Sequence, residues 1–198
     1  DAPASGATFK TFGASSIMIG DDATGTIDAA NYNTGVGVDV FAALTSGDNN
    51  TAIGYAALTA NTTSPNNVAV GYAALDAQTT GAGYNVAVVY NAGWNALGAN
   101  TTGSFNTAYG GGALDANTTA SNNTAIGWKA LTENTTGAYN VAFGKGSMAA
   151  NTTANSNTAV GYVSLDANTT GASNTAVGAA ALGSNTTASD NAAFGISS

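Results

Sequence analysis

A nine-residue motif recurs along the whole chain. "NTAIGYAAL" at residues 50–58 returns as "NVAVGYAAL" at 67–75, and a shortened form, "NAAFG", stands at 191–195. With the motif glycine as anchor, every step is 17 residues except one of 22. Repeats of fixed length that cannot bury a core singly are typical of stacked solenoids. The anchors are Gly20, Gly37, Gly54, Gly71, Gly93, Gly110, Gly127, Gly144, Gly161, Gly178 and Gly195.

The residue types in the motif favour strands. The position before each anchor is apolar and mostly β-branched or aromatic, which suits a pleated sheet. A 17-residue unit is also too short for helix-turn-helix repeats, which exceed 30 residues, although "YAAL" alone could form a short helical turn. We therefore predict an all-β fold, a parallel β-solenoid or β-roll with 17-residue coils and about eleven rungs. It spans residues 16–198 as one domain, and residues 1–15 form an N-terminal capping or assembly segment.

Three columns of the repeat are expected to build a thin core. Alanine precedes the apolar residue, and neighbouring strand residues point to opposite faces. We expect the apolar residue, such as Ile53, to face the core together with Leu58 on the opposite wall. The alanine column, which includes Ala52, is then predicted to allow another backbone to approach closely, as in side-by-side trimerisation.

Asparagine forms two further columns. The first opens each strand, as Asn50 does, and one coil spacing of about 4.8 Å allows its amides to hydrogen-bond as a ladder. The second begins each "NTT" turn, where asparagine and threonine form local hydrogen bonds. This second column also matches the N-x-T glycosylation sequon. Its candidate acceptors are Asn61, Asn100, Asn117, Asn134, Asn151, Asn168 and Asn185.

Composition argues against most catalytic chemistry. The chain has no histidine or cysteine, only three lysines and no arginine, and a net charge of −8. These counts exclude histidine acid/base and thiol chemistry, disfavour nucleic-acid binding, and predict a protein that is not an enzyme. No apolar run reaches the ~18 residues that membrane insertion requires. No cofactor is expected, although Asp21, Asp22 and Asp28 could bind calcium through their oxygens. Asp76, Asp115 and Asp166 share one column and are interpreted as solvated turn residues.

Aromatic and threonine columns leave two kinds of surface function open. The aromatic residues after the anchors are candidate contacts for surface glycans or a partner chain, or they stack along the solenoid. A second aromatic column precedes the strand asparagines. The threonine rows raise ice binding as a weaker alternative, because adjacent threonines do not share one face. The first aromatic column contains Tyr55, Tyr72, Trp94, Trp128 and Tyr162.

The pattern "NTAVGYxAL…NTTGxxNTAVG" resembles the repeats of trimeric autotransporter adhesin heads. It is even more similar to the repeats of phage tail-fibre and bacterial surface-fibre proteins. The resemblance covers Ser16 to Ser198. It implies a rigid β-roll shaft outside the cell or on a virion, often trimeric, with adhesion at exposed loops or at a separate tip.

These observations lead to one functional hypothesis and one main alternative. We expect a structural subunit of an extracellular fibre, since the small-residue start "DAPASGA" is typical of a processed, exported chain. The predicted assembly edge is Phe194, Gly195 and Ile196, where a neighbour's N-terminal segment completes the coil head-to-tail. The alternative is a tail-fibre or adhesin shaft that binds surface glycans.

Overall fold

The computed structural model describes residues 8–12, 16–20, 29–81, 83–89 and 95–198. Within these ranges the chain forms no helix, and its strands build one sheet in chain order. The predicted all-β solenoid of 17-residue coils is confirmed. The strands are β1 (Thr8–Phe12), β2 (Ser16–Gly20), β3 (Thr34–Gly37), β4 (Thr51–Ile53), β5 (Val68–Val70), β6 (Val86–Val88), β7 (Thr107–Tyr109), β8 (Thr124–Ile126), β9 (Val141–Phe143), β10 (Thr158–Val160), β11 (Thr175–Val177) and β12 (Ala192–Phe194).

Strands β2 to β12 pair in parallel, each with the next, and in register. Thr51 lies opposite Val68 and Ile53 opposite Val70, so equivalent repeat positions stack directly. The hydrogen bonds extend past the strand ends: Thr51 N–H donates to the Asn67 carbonyl (2.8 Å) and Gly54 N–H to the Val36 carbonyl (2.8 Å). Eleven parallel strands at about 4.8 Å per interval make a rod about 48 Å long.

The N-terminal strand departs from this pattern. β1 pairs antiparallel with β2, with Thr8 opposite Gly20 and Phe12 opposite Ser16. Its backbone therefore covers the free edge of the first coil within its own chain. Exposed strand edges invite pairing with other chains, and an antiparallel strand is one way of covering them.

The segment after each anchor glycine is an extended ribbon and not a helical turn. In "GYAAL" the third and fifth residues have left-handed backbone angles, such as Ala56 (φ 54°) and Leu58 (φ 52°). This alternation sends successive N–H groups to opposite neighbours: Ala56 donates to Val38 (2.9 Å) and Leu58 to Ala74 (3.1 Å). A left-handed leucine costs about 1–2 kcal/mol. Pairing with both adjacent coils offsets that cost.

The anchor is glycine because no side chain fits there. Gly54 has φ 132°, and a Cβ at this position would lie 2.4 Å from the Gly71 carbonyl oxygen. The backbone of the next coil occupies that space. The close approach between coils is therefore at the glycine column and not at the alanine column.

The structure reverses the predicted orientation of the strands. The alanines at the strand centres, such as Ala52 and Ala125, are completely buried, whereas Ile53 is 40% exposed. The core consists of this inward alanine column packed against the leucine column, which includes Leu58 and Leu131. In most coils the leucine is the one large side chain that is completely buried, although the coil after Asn33 buries Val40, Phe41 and Leu44. Trimerisation through the alanine column is wrong for the same reason, because those methyl groups face inward.

The coil that departs from the 17-residue step keeps its strand in register. Val70 lies opposite Val88 and Val88 opposite Tyr109, so Val89 takes the position of the anchor glycine. The N–H of Val89 donates to the Val70 carbonyl (2.8 Å), as an anchor N–H does. The predicted anchor at Gly93 lies outside the described residues. One extra residue therefore precedes β6 and four follow Val89, and the register of the strands is kept.

Candidate functional site

The described residues contain no cluster of metal-binding side chains. Among them, no three of the side chains that bind metals lie close enough to hold an ion. The predicted calcium ligands Asp21, Asp22 and Asp28 lie outside the described residues. None of the described residues forms a helix long and apolar enough to cross a membrane.

The strand asparagines form a ladder that runs through the amide oxygen and the backbone. Asn123 Oδ1 accepts the N–H of Asn140 (2.9 Å), while Asn123 Nδ2 donates to the Gly137 carbonyl (2.9 Å). The same pair of bonds recurs from coil to coil, and these asparagines are buried through most of the rod. Each side chain thus ties its strand to the turn that follows and to the next coil. These buried hydrogen bonds join adjacent coils, as the apolar contacts of the core do.

Direct amide-to-amide bonds occur at three steps of the strand column, and they form a longer ladder in the other asparagine column, in the turns. Asn117 Nδ2 donates to Asn100 Oδ1 (2.8 Å), and Asn134 Nδ2 donates to Asn117 Oδ1 (3.1 Å). Gln78 replaces asparagine in the coil whose turn carries an extra residue, and its longer side chain still accepts from Asn100 Nδ2. Toward the preceding coil, Gln78 Nε2 donates to Ser64 Oγ (3.1 Å) and not to Asn61, so a serine takes part in the ladder at this step.

Burial of this ladder argues against the predicted glycosylation sites. Asn61, Asn100, Asn117, Asn134, Asn151 and Asn168 are completely buried, and their amide nitrogens already donate hydrogen bonds. Only Asn185, in the last of these turns, is partly exposed, and its nitrogen donates to Asn168 Oδ1 (2.9 Å). A glycan on any of these nitrogens would break the ladder. The sequons of this column are structural asparagines.

The outward side of the strands forms a continuous surface, which we call the sheet face. Two residues of each strand from β3 to β12 point outward, one on either side of the inward central residue, which is Gly35 in β3 and alanine in the others. Neither row contains a charged residue. Phe143 (54% exposed), Tyr109 (56%) and Phe194 (72%) project furthest. The first row is Thr34, Thr51, Val68, Val86, Thr107, Thr124, Val141, Thr158, Thr175 and Ala192. The second row is Val36, Ile53, Val70, Val88, Tyr109, Ile126, Phe143, Val160, Val177 and Phe194.

Beside the sheet face runs a row of residues with left-handed backbone, one before each strand asparagine. We call it the left-handed row: Tyr32, Asn49, Asn66, Tyr84, Phe105, Asn122, Tyr139, Ser156, Ser173 and Asp190. Asparagine, aspartate and serine tolerate or support such angles, but aromatic residues rarely adopt them. The four aromatics are 51–63% exposed, and Tyr84 stacks on Phe105 with ring centroids 5.0 Å apart. Folding alone does not account for bulky, exposed rings at these strained positions.

The structure brings together only part of the predicted glycan-contact column. Tyr55 and Tyr72 stack with centroids 5.1 Å apart, and both are more than two-fifths exposed. Tyr162 is exposed beside Lys145, whose Nζ lies 5.8 Å from the ring centroid. Trp128 is half-buried, and Trp94 lies outside the described residues. The column is therefore a tyrosine pair at one part of the rod and a separate tyrosine further along.

The predicted assembly edge is the most exposed apolar part of the described chain. Phe194 is 72% and Ile196 81% exposed, and Gly195 N–H donates inward to the Val177 carbonyl (2.9 Å). Among the described residues, β12 pairs only with β11. A cleft of about 650 Å³ lined by Val163, Leu182 and Ser198 opens at the same end. The backbone groups on the outer side of β12 are therefore available to another strand.

All three aspartates that were expected to be solvated are partly buried. Burial raises the pKa of Asp76; backbone hydrogen bonds at Asp76 and Ala77 oppose this rise, and the charge of Asp115 adds to it. Burial also raises the pKa of Asp115, against the opposing effect of Lys129. Asn95 Nδ2 donates to Asp76 Oδ2 (3.4 Å), whereas Asp76 Oδ1 has no hydrogen-bond partner within the described ranges.

Neutralising Asp76 is expected to stabilise the rod at pH 7. The pKa of Asp76 is higher in the folded than in the unfolded chain. The contribution of its protonated form to the free energy of unfolding is therefore complete below the unfolded pKa. It is lost as pH rises through the folded pKa. Asp76→Asn should raise the free energy of unfolding by about 0.5 kcal/mol at pH 7, or ~1–2 °C in Tm, the burial being only partial. Thermal unfolding should show the gain shrinking toward pH 4.

Glu133→Gln, an equal charge change at an exposed site, is the control. An equal gain from Glu133→Gln would trace the effect to net charge.

The sequence motifs predicted the glycine, turn and leucine columns and the aromatic members of the left-handed row, but not the sheet face. The alternation of side chains along a strand could have identified the sheet face. The alanines lie two residues after the strand asparagines, so an internal asparagine ladder requires the alanines to point inward as well. Comparison of the chain with protein-family models, with curated proteins and with solved structures gives no significant match.

Proposed function

We propose that this protein is a non-catalytic structural subunit of an extracellular fibre that grows by stacking solenoid coils. The observation that carries the proposal is the uniformity of the contact between coils. From Asn33 to Asn191 each coil meets the next through backbone bonds and the strand asparagine ladder. The inward columns are alanine and leucine in most coils, with Gly35, Phe41 and Met148 as exceptions. A surface that binds its own repeat so many times within a chain is suited to binding the same repeat in another chain.

Growth of the fibre would use the edge of β12. Phe194 and Ile196 are exposed there, and the outer backbone groups of the strand can accept a further strand. Adding a strand to an exposed sheet edge is a common mode of protein association. In the fibre, the N-terminal segment would exchange β2 of its own chain for β12 of a neighbour. Such exchange of an element between identical chains is a low-cost route to assembly.

Electron microscopy of the purified chain tests this function. We expect uniform filaments from the full chain and only short rods after deletion of residues 1–15, because the exchanged strand is then missing. Circular dichroism of both proteins establishes that the remaining solenoid is folded. If the shortened but folded chain makes filaments of normal length, strand exchange is wrong. If the full chain gives only isolated rods at high concentration, the fibre function itself is wrong.

The exposed tyrosines favour a second candidate, a shaft that binds surface glycans. Aromatic rings present flat apolar faces with a polar edge, and Tyr55, Tyr72 and Tyr162 are exposed at one side of the rod. A glycan array probed with the full chain and with Tyr162→Ala tests this use, and array binding that depends on Tyr162 would support it. Ice binding remains the weakest candidate, since Tyr109 and Phe143 project from the sheet face and interrupt any flat threonine array.

A further inference from the structure

We propose that two copies of this chain pair side by side through the sheet face, turned end for end. The pairing deepens the proposed fibre function by naming a lateral contact between rods. Its first basis is the chemistry of the surface. The twenty outward residues of β3 to β12 are valine, isoleucine, threonine, alanine and aromatic, and none is charged. Depletion of charge with enrichment of aromatics distinguishes the centre of protein interfaces.

The left-handed row supplies the second basis. Four coils carry tyrosine or phenylalanine where the other six carry asparagine, serine or aspartate. An aromatic side chain at positive φ is strained and gains little from folding when half of its surface stays exposed. Tyr32 (60% exposed), Phe105 (51%) and Tyr139 (63%) border the sheet face directly. Burial against a second chain would offset the conformational cost that these residues impose.

The size of the surface fits a second copy. Three rows over ten coils give thirty residues, on a strip about 43 Å long at ~4.8 Å per coil and about 13 Å wide at ~6.7 Å per row. Stable interfaces between proteins use about 20–30 residues on each side. The strip is straight and runs the length of the rod, so a matching surface must also be straight and long. A second copy of the same rod has that shape.

The order of large and small residues selects the orientation. If a second copy is turned end for end about an axis between β7 and β8, Tyr109 meets Ile126, Phe143 meets Val88 and Phe194 meets Val36. No aromatic of the second row then faces another aromatic. In a parallel pair the two-fold axis runs along the rod and exchanges the outer rows. Tyr109 would then meet Phe105 and Phe143 would meet Tyr139, and the bulky rings would hold the sheets apart. A two-fold axis also makes the contact closed and self-complementary.

Charge placed on the sheet face tests the pairing. Sedimentation velocity of the full chain should show a species of two chains, and Ile126→Lys should weaken its association at least about tenfold, because each copy brings the new charge to the axis. Phe143→Ser is a milder variant that should act in the same direction. Thr136→Lys, an exposed turn residue away from the sheet face, is the control and should leave the mass unchanged. Equal Tm values and circular dichroism spectra show that each variant is folded.

The outcomes separate this inference from the fibre proposal. The lateral pairing is wrong if the filaments are one rod wide and Ile126→Lys does not change the sedimenting mass. End-to-end growth would then still stand. Pairs of rods that Ile126→Lys separates, but that never elongate, support the pairing and contradict the fibre function. A three-chain species, or equal weakening by Thr136→Lys, overturns the two-fold pairing.

Discussion

Replacing Asn140 with alanine is expected to lower the free energy of unfolding by about 3 kcal/mol. Asn140 is completely buried, its Oδ1 accepts the Asn157 N–H (3.0 Å), and its Nδ2 donates to the Ala154 carbonyl (2.8 Å). Alanine would leave the Asn157 N–H without a partner, and a buried unpaired group costs about 1–3 kcal/mol. The Ala154 carbonyl would keep only its longer bond, from Asn151 Nδ2 (3.3 Å), and the lost bond and the vacated volume add to the cost. Urea unfolding followed by circular dichroism measures the change.

Asn155 offers a matched control for this experiment. Its Oδ1 also accepts a backbone N–H from another coil, that of Ala138 (2.7 Å), but the bond is exposed. Water can replace an exposed acceptor, so Asn155→Ala should cost less than about 1 kcal/mol. Equal losses from the two substitutions would show that burial of the ladder is not what makes it stabilising.

Enlarging the inward alanine column is expected to have a comparable effect. Ala125 is completely buried between Ala108 and Ala142 of the adjacent coils, and the leucine column fills the opposite wall. Leucine at this position would have to displace packed neighbours. We therefore expect Ala125→Leu to lower the free energy of unfolding by about 3 kcal/mol. Differential scanning calorimetry should show the corresponding drop in Tm.

The adjacent residue provides the comparison. Ile126 belongs to the sheet face, and Ile126→Ala should cost no more than about 1 kcal/mol, the span of strand preferences. The opposite ranking, with Ile126→Ala the more damaging, would show that the large strand residues face the core. The pair of variants thus tests the orientation of the strand with two neighbouring residues.

The repeat period was enough to predict the solenoid, because stacking in register needs only a constant step and strand-forming residues. It also predicted the glycine, the leucine column and an asparagine ladder. The predicted orientation of the strand was wrong because the larger side chains were assigned to the core. The alternation of side chains between the two faces of a strand was not used. Asn50 and Ala52 are two residues apart and share a face, so a buried Asn50 already required Ala52 to point inward.

The irregular coil was misread because glycine was used as the anchor. The strand sequence "NVAV" at 85–88 repeats that at 67–70, which places Val89 and not Gly93 in the anchor column. The exposed aromatics of the left-handed row were visible as a column, but their strain was not, because backbone angles depend on how the coil closes.

Hydrogen bonds that join each residue to its equivalent one coil away have a consequence for how such a chain can evolve. A duplication or loss of one 17-residue unit leaves every ladder, column and strand pair in register, and changes only the length of the rod, in increments of about 4.8 Å. Most proteins lose their fold when a segment of this size is added or removed. Here length can vary as an independent trait, adjusted by genetic copying while the chemistry of every rung stays the same.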